Sequence, residues 1–86
     1  MARVFLARTA RQALEQLDHL RADAILDALG LLEREPDAGH ALRGRLVGLR
    51  SLRVGAYRII YELRDPKTVR VVAIRHRAQA YSSDSR

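Results

Sequence analysis

The sequence predicts an α+β fold in which a two-helix hairpin packs on one face of a small, antiparallel-rich four-stranded sheet, in the order β-α-α-β-β-β. Three observations support this prediction. Apolar residues recur at helical spacing in the N-terminal half, the period changes to two in the C-terminal half, and short links join the alternating segments. Because both helices cover one face, we expect the opposite face of the sheet to be open to solvent.

The N-terminal half is predicted to form one strand and two helices. Residues 3–7, RVFLA, favour a short strand, and Thr9 is a candidate N-cap for a helix that reaches about His19. After a break near residues 20–22, Pro36 and the turn residues beyond it end a second helix. The apolar stripe of this helix consists of Ala22, Ile25, Leu26, Leu29 and Leu32. Its acidic, water-facing side consists of Asp23, Asp27 and Glu33.

Three strands with an alternating pattern follow a loop that extends to about Leu46. They cover residues 49–54, 57–63 and 69–74. Gly55 lies at the first turn, where a positive φ is expected, and RDPKT at 64–68 supplies Asp-Pro turn chemistry for the second. Such short links predict an antiparallel meander.

Length and composition exclude several classes of protein. A chain of 86 residues supplies one hydrophobic core, so residues 1–81 are expected to form a single domain and residues 82–86, SSDSR, a frayed tail. The chain has no cysteine, and its three scattered histidines predict no metal or cofactor site. No apolar run approaches the ~20 residues of a membrane span, so we expect a cytoplasmic protein without a membrane partner.

Positive charge is concentrated in the C-terminal half. The net charge is +6, yet residues 1–42 carry five arginines against seven acids, whereas residues 43–86 carry eleven arginines or lysines against three acids. Arginine supplies most of these cations, which suits bidentate phosphate contacts, although a compositional preference for arginine explains the same count. A basic half and an open sheet face together predict a surface that binds a polyanion.

Three segments of the chain carry a resemblance to a known family: LRG at 42–44, RVGAYRIIYE at 53–62 and VRVVAIRHRAQAY at 69–81. With the element order and chain length, they resemble the RelE toxins of the RelE/ParE superfamily, the ribosome-dependent mRNA endonucleases of bacterial type II toxin–antitoxin systems. The resemblance implies a microbial-RNase-like fold whose open sheet face grips mRNA in the ribosomal A site without a cofactor. It also implies a cognate small acidic antitoxin as the partner in a toxin–antitoxin hetero-oligomer.

The resemblance further implies functional residues. Arg58 corresponds to the family arginine that contacts the scissile phosphate, and Arg77 corresponds to a second arginine just past the last strand. Tyr81 matches a tyrosine four residues later, and Arg53 matches a basic position before the strand turn. We therefore expect Arg58, Arg77 and Tyr81 to be catalytic and Arg53 to bind RNA.

The chain departs from the family pattern at the position of the family's lysines, near Leu49 and Ser51. It offers Arg50 there, with Arg43 and Arg45 upstream, and these three arginines are predicted to bind RNA. An arginine stabilises negative charge but cannot give up its proton at physiological pH, so it cannot serve as the base.

Metal-free RNA cleavage requires removal of the 2′-hydroxyl proton, neutralisation of charge on the phosphorane and protonation of the leaving 5′-oxygen. Arg58 and Arg77 are suited to the neutralising step. His76 and Tyr81 are the main candidates for proton transfer, with Glu62 as an outside candidate. Arg75, which is predicted to bind RNA, and Arg77 flank His76. Their positive charges favour a neutral imidazole that can act as a base. Strand alternation, however, directs His76 away from both arginines.

Two other functions stay open at this point. A ParE-like toxin would inhibit DNA gyrase by binding it and would cleave nothing, and a degenerate family member would keep only antitoxin or nucleic-acid binding. The segments AYR at 56–58 and HRAQAY at 76–81 favour the RelE-like function. A structural alternative is that the strand arginines are ordinary solvated residues that discourage edge pairing, with Tyr57 and Tyr61 packing in the core.

Overall fold

The helices lie against one face of a five-stranded mixed sheet. The computed structural model describes residues 1–77 of the chain. Its elements in chain order are β1 (Arg3–Leu6), α1 (Arg8–Glu15), α2 (His19–Arg34), β2 (His40–Ala41), a 3-10 turn (Gly44–Leu46), β3 (Leu49–Val54), β4 (Tyr57–Asp65) and β5 (Thr68–His76). The predicted α+β class is confirmed.

The sheet has the strand order β1-β5-β4-β3-β2. Strands β3, β4 and β5 form the predicted antiparallel meander, and β1 joins it by parallel pairing with β5. The prediction of four strands missed β2, a two-residue edge strand that pairs with β3. Two residues are too short for a period-two pattern, so only the pairing with β3 makes this strand visible.

Both turns of the meander match their predicted chemistry. Gly55 has φ of +59°, and the two-residue link of Gly55 and Ala56 joins paired Val54 and Tyr57, as expected when glycine takes the first central position of a tight hairpin. At the second turn, the Asp65 carboxylate accepts hydrogen bonds from the backbone N–H of Lys67 and the hydroxyl of Thr68.

The helix boundaries differ from the prediction. Thr9 is inside α1 and its hydroxyl donates to the carbonyl of Val72, 3.1 Å away, so it does not cap the helix. The break between the helices comes earlier than predicted, because Asp18 caps α2 by accepting a hydrogen bond from the backbone N–H of Arg21 at 2.9 Å. Within residues 1–77, neither helix combines the length and the apolarity that crossing a bilayer requires.

The core lies between the helices and the meander. It includes the fully buried side chains of Ala10, Ile25, Leu32, Ile59, Tyr61, Val69 and Val71. Most of the predicted α2 stripe faces this core, but Leu26 is 50% exposed. Neither α1 nor α2 lies on the opposite sheet face, as predicted, and this face displays the side chains of Arg53, Arg58, Glu62, Arg70 and Arg75.

A β-bulge in β5 changes which residues face the core. The register with β4 shifts between Ile60 and Tyr61, so that Ile60 pairs with Ala73 while Tyr61 pairs with Val71. Strict alternation would have placed Ala73 with Val71 in the core; instead Ile74 is buried beside Val71. From the bulge onward, every side chain of β5 lies on the face opposite to the one that unbroken alternation from Val69 would give.

Candidate nucleic-acid interface on the open sheet face

Three arginines form a row across the open face. In the strand register Arg53 of β3 pairs with Arg58 of β4, and Arg58 pairs with Arg75 of β5. Their neighbours on β3, β4 and β5, Leu52, Ile59 and Ile74, point into the core or pack against it, so the three arginines point away from the helices. Directly opposed residues have Cβ atoms about 4.5–5.5 Å apart, which brings the three side chains together.

A fourth arginine joins one end of this row. The backbone N–H of Arg77 donates to the carbonyl of Ala56 at 2.6 Å, which fixes the residue after β5 against the β3–β4 turn. Arg53, Arg58 and Arg77 line one small hollow beside this turn. We call Arg53, Arg58, Arg75 and Arg77 the arginine cluster.

The arginine cluster gathers four cationic side chains at one end of the meander. Within residues 1–77, the carboxylate ion pairs involve other arginines, and none includes Arg53, Arg58 or Arg75. The nearest acid on this face, Glu62 of β4, is two rows away and pairs with Arg64 at 3.5 Å and Arg70 at 3.8 Å. Like charges directly opposed across strands destabilise a sheet, so this arrangement suits an anionic ligand rather than the fold itself.

Arg50 is not part of the arginine cluster. It pairs with the buried Tyr61, on the helix-facing side of the sheet, and its guanidinium donates to the carbonyls of Asp37 at 3.1 Å and Gly39 at 2.6 Å. Arg50 therefore fastens the loop after α2. We withdraw it from the RNA-binding set because its guanidinium is committed to backbone carbonyls behind the open face.

Arg43 and Arg45 lie apart from the arginine cluster, at the exposed 3-10 turn before β3. Arg43 occupies the N-cap position of this turn and Arg45 lies within it. Neither lines the hollow beside the β3–β4 turn. Their predicted contact with RNA would have to be made at a separate place on the surface.

His76 faces away from the arginine row. It pairs with Tyr57, which packs against the core, and the two rings meet edge to face with centroids 5.1 Å apart. The expected separation of His76 from its neighbour Arg75 is thus confirmed. Such a position does not support the predicted role of His76 as a base for a phosphate held at Arg58. Tyr81, the other proton-transfer candidate, lies outside the described residues.

Sequence reasoning missed the hydrogen-bonded clamp behind β3. The buried Tyr61 hydroxyl accepts from the backbone N–H of Gly39 at 2.9 Å and donates to the carbonyl of Pro36 at 2.8 Å. Period-two alternation does place Arg50 and Tyr61 on the helix side, so the sequence held a signal for their orientation. Their partners, more than ten residues away in the chain, depend on the tertiary fold.

Comparison with known proteins identifies the family. A family model described as ParE toxin of type II toxin-antitoxin system, parDE, matches residues 4–81. The chain belongs to this toxin family. The predicted membership in the RelE/ParE superfamily is confirmed, and the toxin's described strands and helices carry the family fold.

Three relatives with RelE-type names show how similar this toxin is to known proteins. Toxin RelG of Mycobacterium tuberculosis is 40% identical over 76 residues, which cover 85% of this chain and 87% of RelG. A chain from the RelBE2 toxin–antitoxin complex of the same organism superposes with a TM-score of 0.81 at 37% identity, over 88% of this chain and 98% of that one. The isolated RelE toxin of E. coli, at 20% identity and a TM-score of 0.75 over 99% and 96% of the two chains, shares the fold.

Proposed function

We propose that this toxin is an endoribonuclease that cleaves mRNA in the A site of the ribosome and thereby arrests translation. The observation that carries the proposal is the row of Arg53, Arg58 and Arg75 on the sheet face that α1 and α2 leave uncovered, with Arg77 at one end. Within residues 1–77 no carboxylate pairs with the guanidinium groups of Arg53, Arg58 and Arg75, so the row is a ready site for consecutive phosphates. The 40% identity to Toxin RelG gives further support.

The reaction proposed is an in-line transfer within the RNA chain. The 2′-oxygen forms a bond to phosphorus while the bond from phosphorus to the 5′-oxygen breaks; the 2′-hydroxyl loses a proton and the leaving oxygen gains one. Negative charge accumulates on the non-bridging phosphate oxygens during this step. Arg58 and Arg77, which line the same hollow, are assigned to neutralise that charge, a contribution typically worth about 3–4 kcal/mol for a preorganised donor.

The two protons require a group that titrates, which an arginine is not. His76 is removed from this role because it packs against Tyr57 on the helix side. Tyr81, which lies outside the described residues, keeps its predicted role in proton transfer, since a phenol can give up its proton. Substitution of Tyr81 by Phe should therefore slow cleavage and leave RNA binding in place.

A cognate acidic antitoxin is proposed as the partner that silences the toxin in the cytoplasm. The solved relatives include toxins crystallised with their antitoxins, such as the RelBE2 complex. Acidic side chains of such a partner would complement the arginine cluster and block the approach of RNA. A small acidic open reading frame is expected beside this gene, and its absence would weaken the assignment.

Cleavage of mRNA on purified translating ribosomes tests the proposed activity. The parent should cleave in the A site, and Arg58→Ala should reduce the rate by about 10²- to 10³-fold because one charge-stabilising donor is lost. Arg11→Ala, an exposed arginine of α1, is the matched control and should cleave like the parent. Circular dichroism should find Arg58→Ala fully folded, since the change removes a like-charge contact.

Inhibition of DNA gyrase is the second candidate function, and the ParE description of the matching family model favours it. Supercoiling by gyrase should be measured with the same protein preparations. Loss of supercoiling without mRNA cleavage would replace the proposed activity by gyrase inhibition. Antitoxin binding with neither effect would identify a family member that keeps only the partner interaction.

A further inference from the structure

The open face has a second distinctive feature at its β1 side, about 15 Å along β5 from Arg75, at roughly 3.3 Å per residue. Phe5 of β1 is 49% exposed, and its strand neighbours Val4 and Leu6 pack against the core. In the parallel register Phe5 pairs with Arg70 of β5. Its ring therefore lies on the same face as the arginine cluster.

Phe5 is flanked by cations. The guanidinium carbon of Arg3, also on β1, lies 5.5 Å from the centre of the Phe5 ring. Arg70 lies on the neighbouring strand and forms an ion pair with Glu62, with 3.8 Å between the charged atoms. Among the aromatic side chains of residues 1–77, Phe5 alone faces away from the helices, since Tyr57 and Tyr61 pack in or against the core.

We propose that Phe5, Arg3 and Arg70 form a stacking platform for an unpaired base of a single-stranded RNA. Flat aromatic rings and guanidinium planes are the surfaces on which proteins stack unpaired bases, and both occur here in contact. A nucleobase carries no charge, so it can bind beside Arg70 although Glu62 partly neutralises that arginine. Phosphates suit the row of Arg53, Arg58 and Arg75 instead, because no carboxylate of residues 1–77 pairs with these three.

The platform rests on the proposed function for the identity of its ligand, and it extends that function. A strand of RNA held by its phosphates at the arginine cluster would continue across β5 toward β1 on the same face. The base held by the platform would thus lie a few nucleotides from the scissile phosphate. The platform would fix the register of the RNA without touching the reacting atoms.

Binding of a short single-stranded RNA with methylated 2′-hydroxyl groups, followed by fluorescence anisotropy at low salt, tests the platform without cleavage. Phe5→Ala should weaken binding by roughly 5- to 150-fold, the loss expected for one stacked base. Phe5→Trp, which keeps a flat ring, should bind at least as tightly as the parent. Leu26→Ala is the matched control, because Leu26 is 50% exposed on α2, and it should bind like the parent.

An abasic nucleotide moved along the RNA identifies the stacked base. One abasic position should weaken binding by the parent, and the same RNA should show no additional loss with Phe5→Ala. The platform is excluded if Phe5→Ala binds RNA like the parent. It is also excluded if the parent loses the same affinity for every position of the abasic nucleotide. Loss of antitoxin binding with unchanged RNA binding would also exclude it and would assign Phe5 to a protein contact.

Arg58→Ala separates failure of the platform from failure of the proposed function. If Arg58→Ala weakens RNA binding and Phe5→Ala does not, the arginine cluster stands and the platform is wrong. If Phe5→Ala weakens binding and Arg58→Ala does not, the platform stands and the phosphate site is wrong. Thermal unfolding of each variant checks that the fold is retained, which is expected because Phe5 is half exposed.

Discussion

Arg50 and Arg58 are the same residue type on adjacent antiparallel strands, and they serve opposite purposes. Arg58 pairs with Arg53 and Arg75 on the open face, where no carboxylate of residues 1–77 forms an ion pair with any of the three. Arg50 pairs with Tyr61 on the helix side and donates to the Asp37 and Gly39 carbonyls. The face of the strand, rather than the chemistry of the side chain, decides which arginine is available to a ligand on the open face.

The hydroxyl of Tyr61 is expected to contribute measurably to stability. Tyr61→Phe removes the acceptor of the buried Gly39 N–H, and an unsatisfied buried donor costs about 1–3 kcal/mol. Urea unfolding should therefore show a reduced free energy of unfolding. Tyr57→Phe is the matched control, expected within about 0.5 kcal/mol of the parent, because the Tyr57 hydroxyl makes no hydrogen bond to residues 1–77. Equal stability of the two variants would contradict the role of the clamp.

The connection from α2 to β2 depends on a close approach at Gly39. A Cβ added there would lie 2.7 Å from the Ser51 carbonyl oxygen and 2.8 Å from the Tyr61 hydroxyl oxygen. Gly39→Ala should therefore force the strand and loop apart and reduce stability by about 1–3 kcal/mol in urea unfolding.

Gly30 of α2 provides the comparison for Gly39. Its added Cβ would find its nearest neighbour at 4.0 Å, on the flexible Arg34 side chain. Gly30→Ala should raise the free energy of unfolding by roughly 0.5–1 kcal/mol, because glycine is unfavourable inside a helix. If both glycine variants shift stability in the same direction, the close packing at Gly39 is not the cause.

The N-terminus of α2 should make stability depend on pH. The backbone N–H of Arg21 donates to the Asp18 carboxylate and holds the pKa of that carboxyl below its usual 3.8, with help from the Arg21 guanidinium. Because the pKa is lower in the folded state, the stabilisation is present above the unfolded pKa and is lost as the pH falls through the folded value.

Asp18→Ala should lower Tm at about pH 7, and its difference from the parent should shrink below about pH 4, where the parent's carboxylate becomes protonated. Asn is an equally good N-cap, so Asp18→Asn should keep most of the Tm without the pH-dependent part. A difference between the parent and Asp18→Ala that stays constant from pH 7 to strongly acidic pH would rule out the capping carboxylate as its source.

The molecule carries its charge unequally, and the fold places much of the excess on one face. Of the cations in residues 43–86, four form the arginine cluster at the end of the meander, while residues 1–42 carry seven of the ten acids. A surface of this kind attracts an anionic chain and accelerates its encounter, and the effect weakens with added salt. The acids of α1 and α2 belong to elements on the other side of the sheet from the arginine cluster.

The affinity for non-cleavable RNA should fall with added salt, and the steepness of the fall should reflect the number of arginine–phosphate contacts. With four arginines on phosphates, log K should fall against log salt with a slope of roughly −3, at about 0.7 per contact for a single strand. Arg58→Ala should reduce the slope by about 0.7, whereas Phe5→Ala should weaken binding and leave the slope unchanged, because stacking releases no counterions. Equal slopes for the parent and Arg58→Ala would contradict phosphate binding at Arg58.

Much of this protein follows from local sequence signals. Helical spacing and period-two alternation predicted the helices, the open face and the meander, and Gly55 with the RDPKT turn fixed the hairpin links. The Asp18 cap was also readable, since Asp is a favoured N-cap, but the predicted first helix extended through this residue to about His19. The edge strand β2 had no local signal, because two residues show no period.

The composition of the arginine cluster illustrates where sequence reasoning ends. Alternation alone places Arg53 and Arg58 on the open face, because β3 and β4 pair without interruption over those residues. The same rule applied to β5 from Val69 onward would turn Arg75 toward the core and His76 toward the ligand. The bulge opposite Tyr61 reverses both positions.

The sequence by itself determined the fold class, the basic half and the family, because spacing, charge and motifs are local properties of the chain. Only the tertiary structure decided that Arg75 completes the arginine row and that His76 packs against Tyr57. The physical reason is that the bulge depends on both strands. Tyr61 of β4 pairs with Val71 of β5, Ile59 of β4 pairs with Ile74 of β5, and both pairs are buried in one core. One extra residue in β5 satisfies both contacts, and no pattern within β5 alone records it.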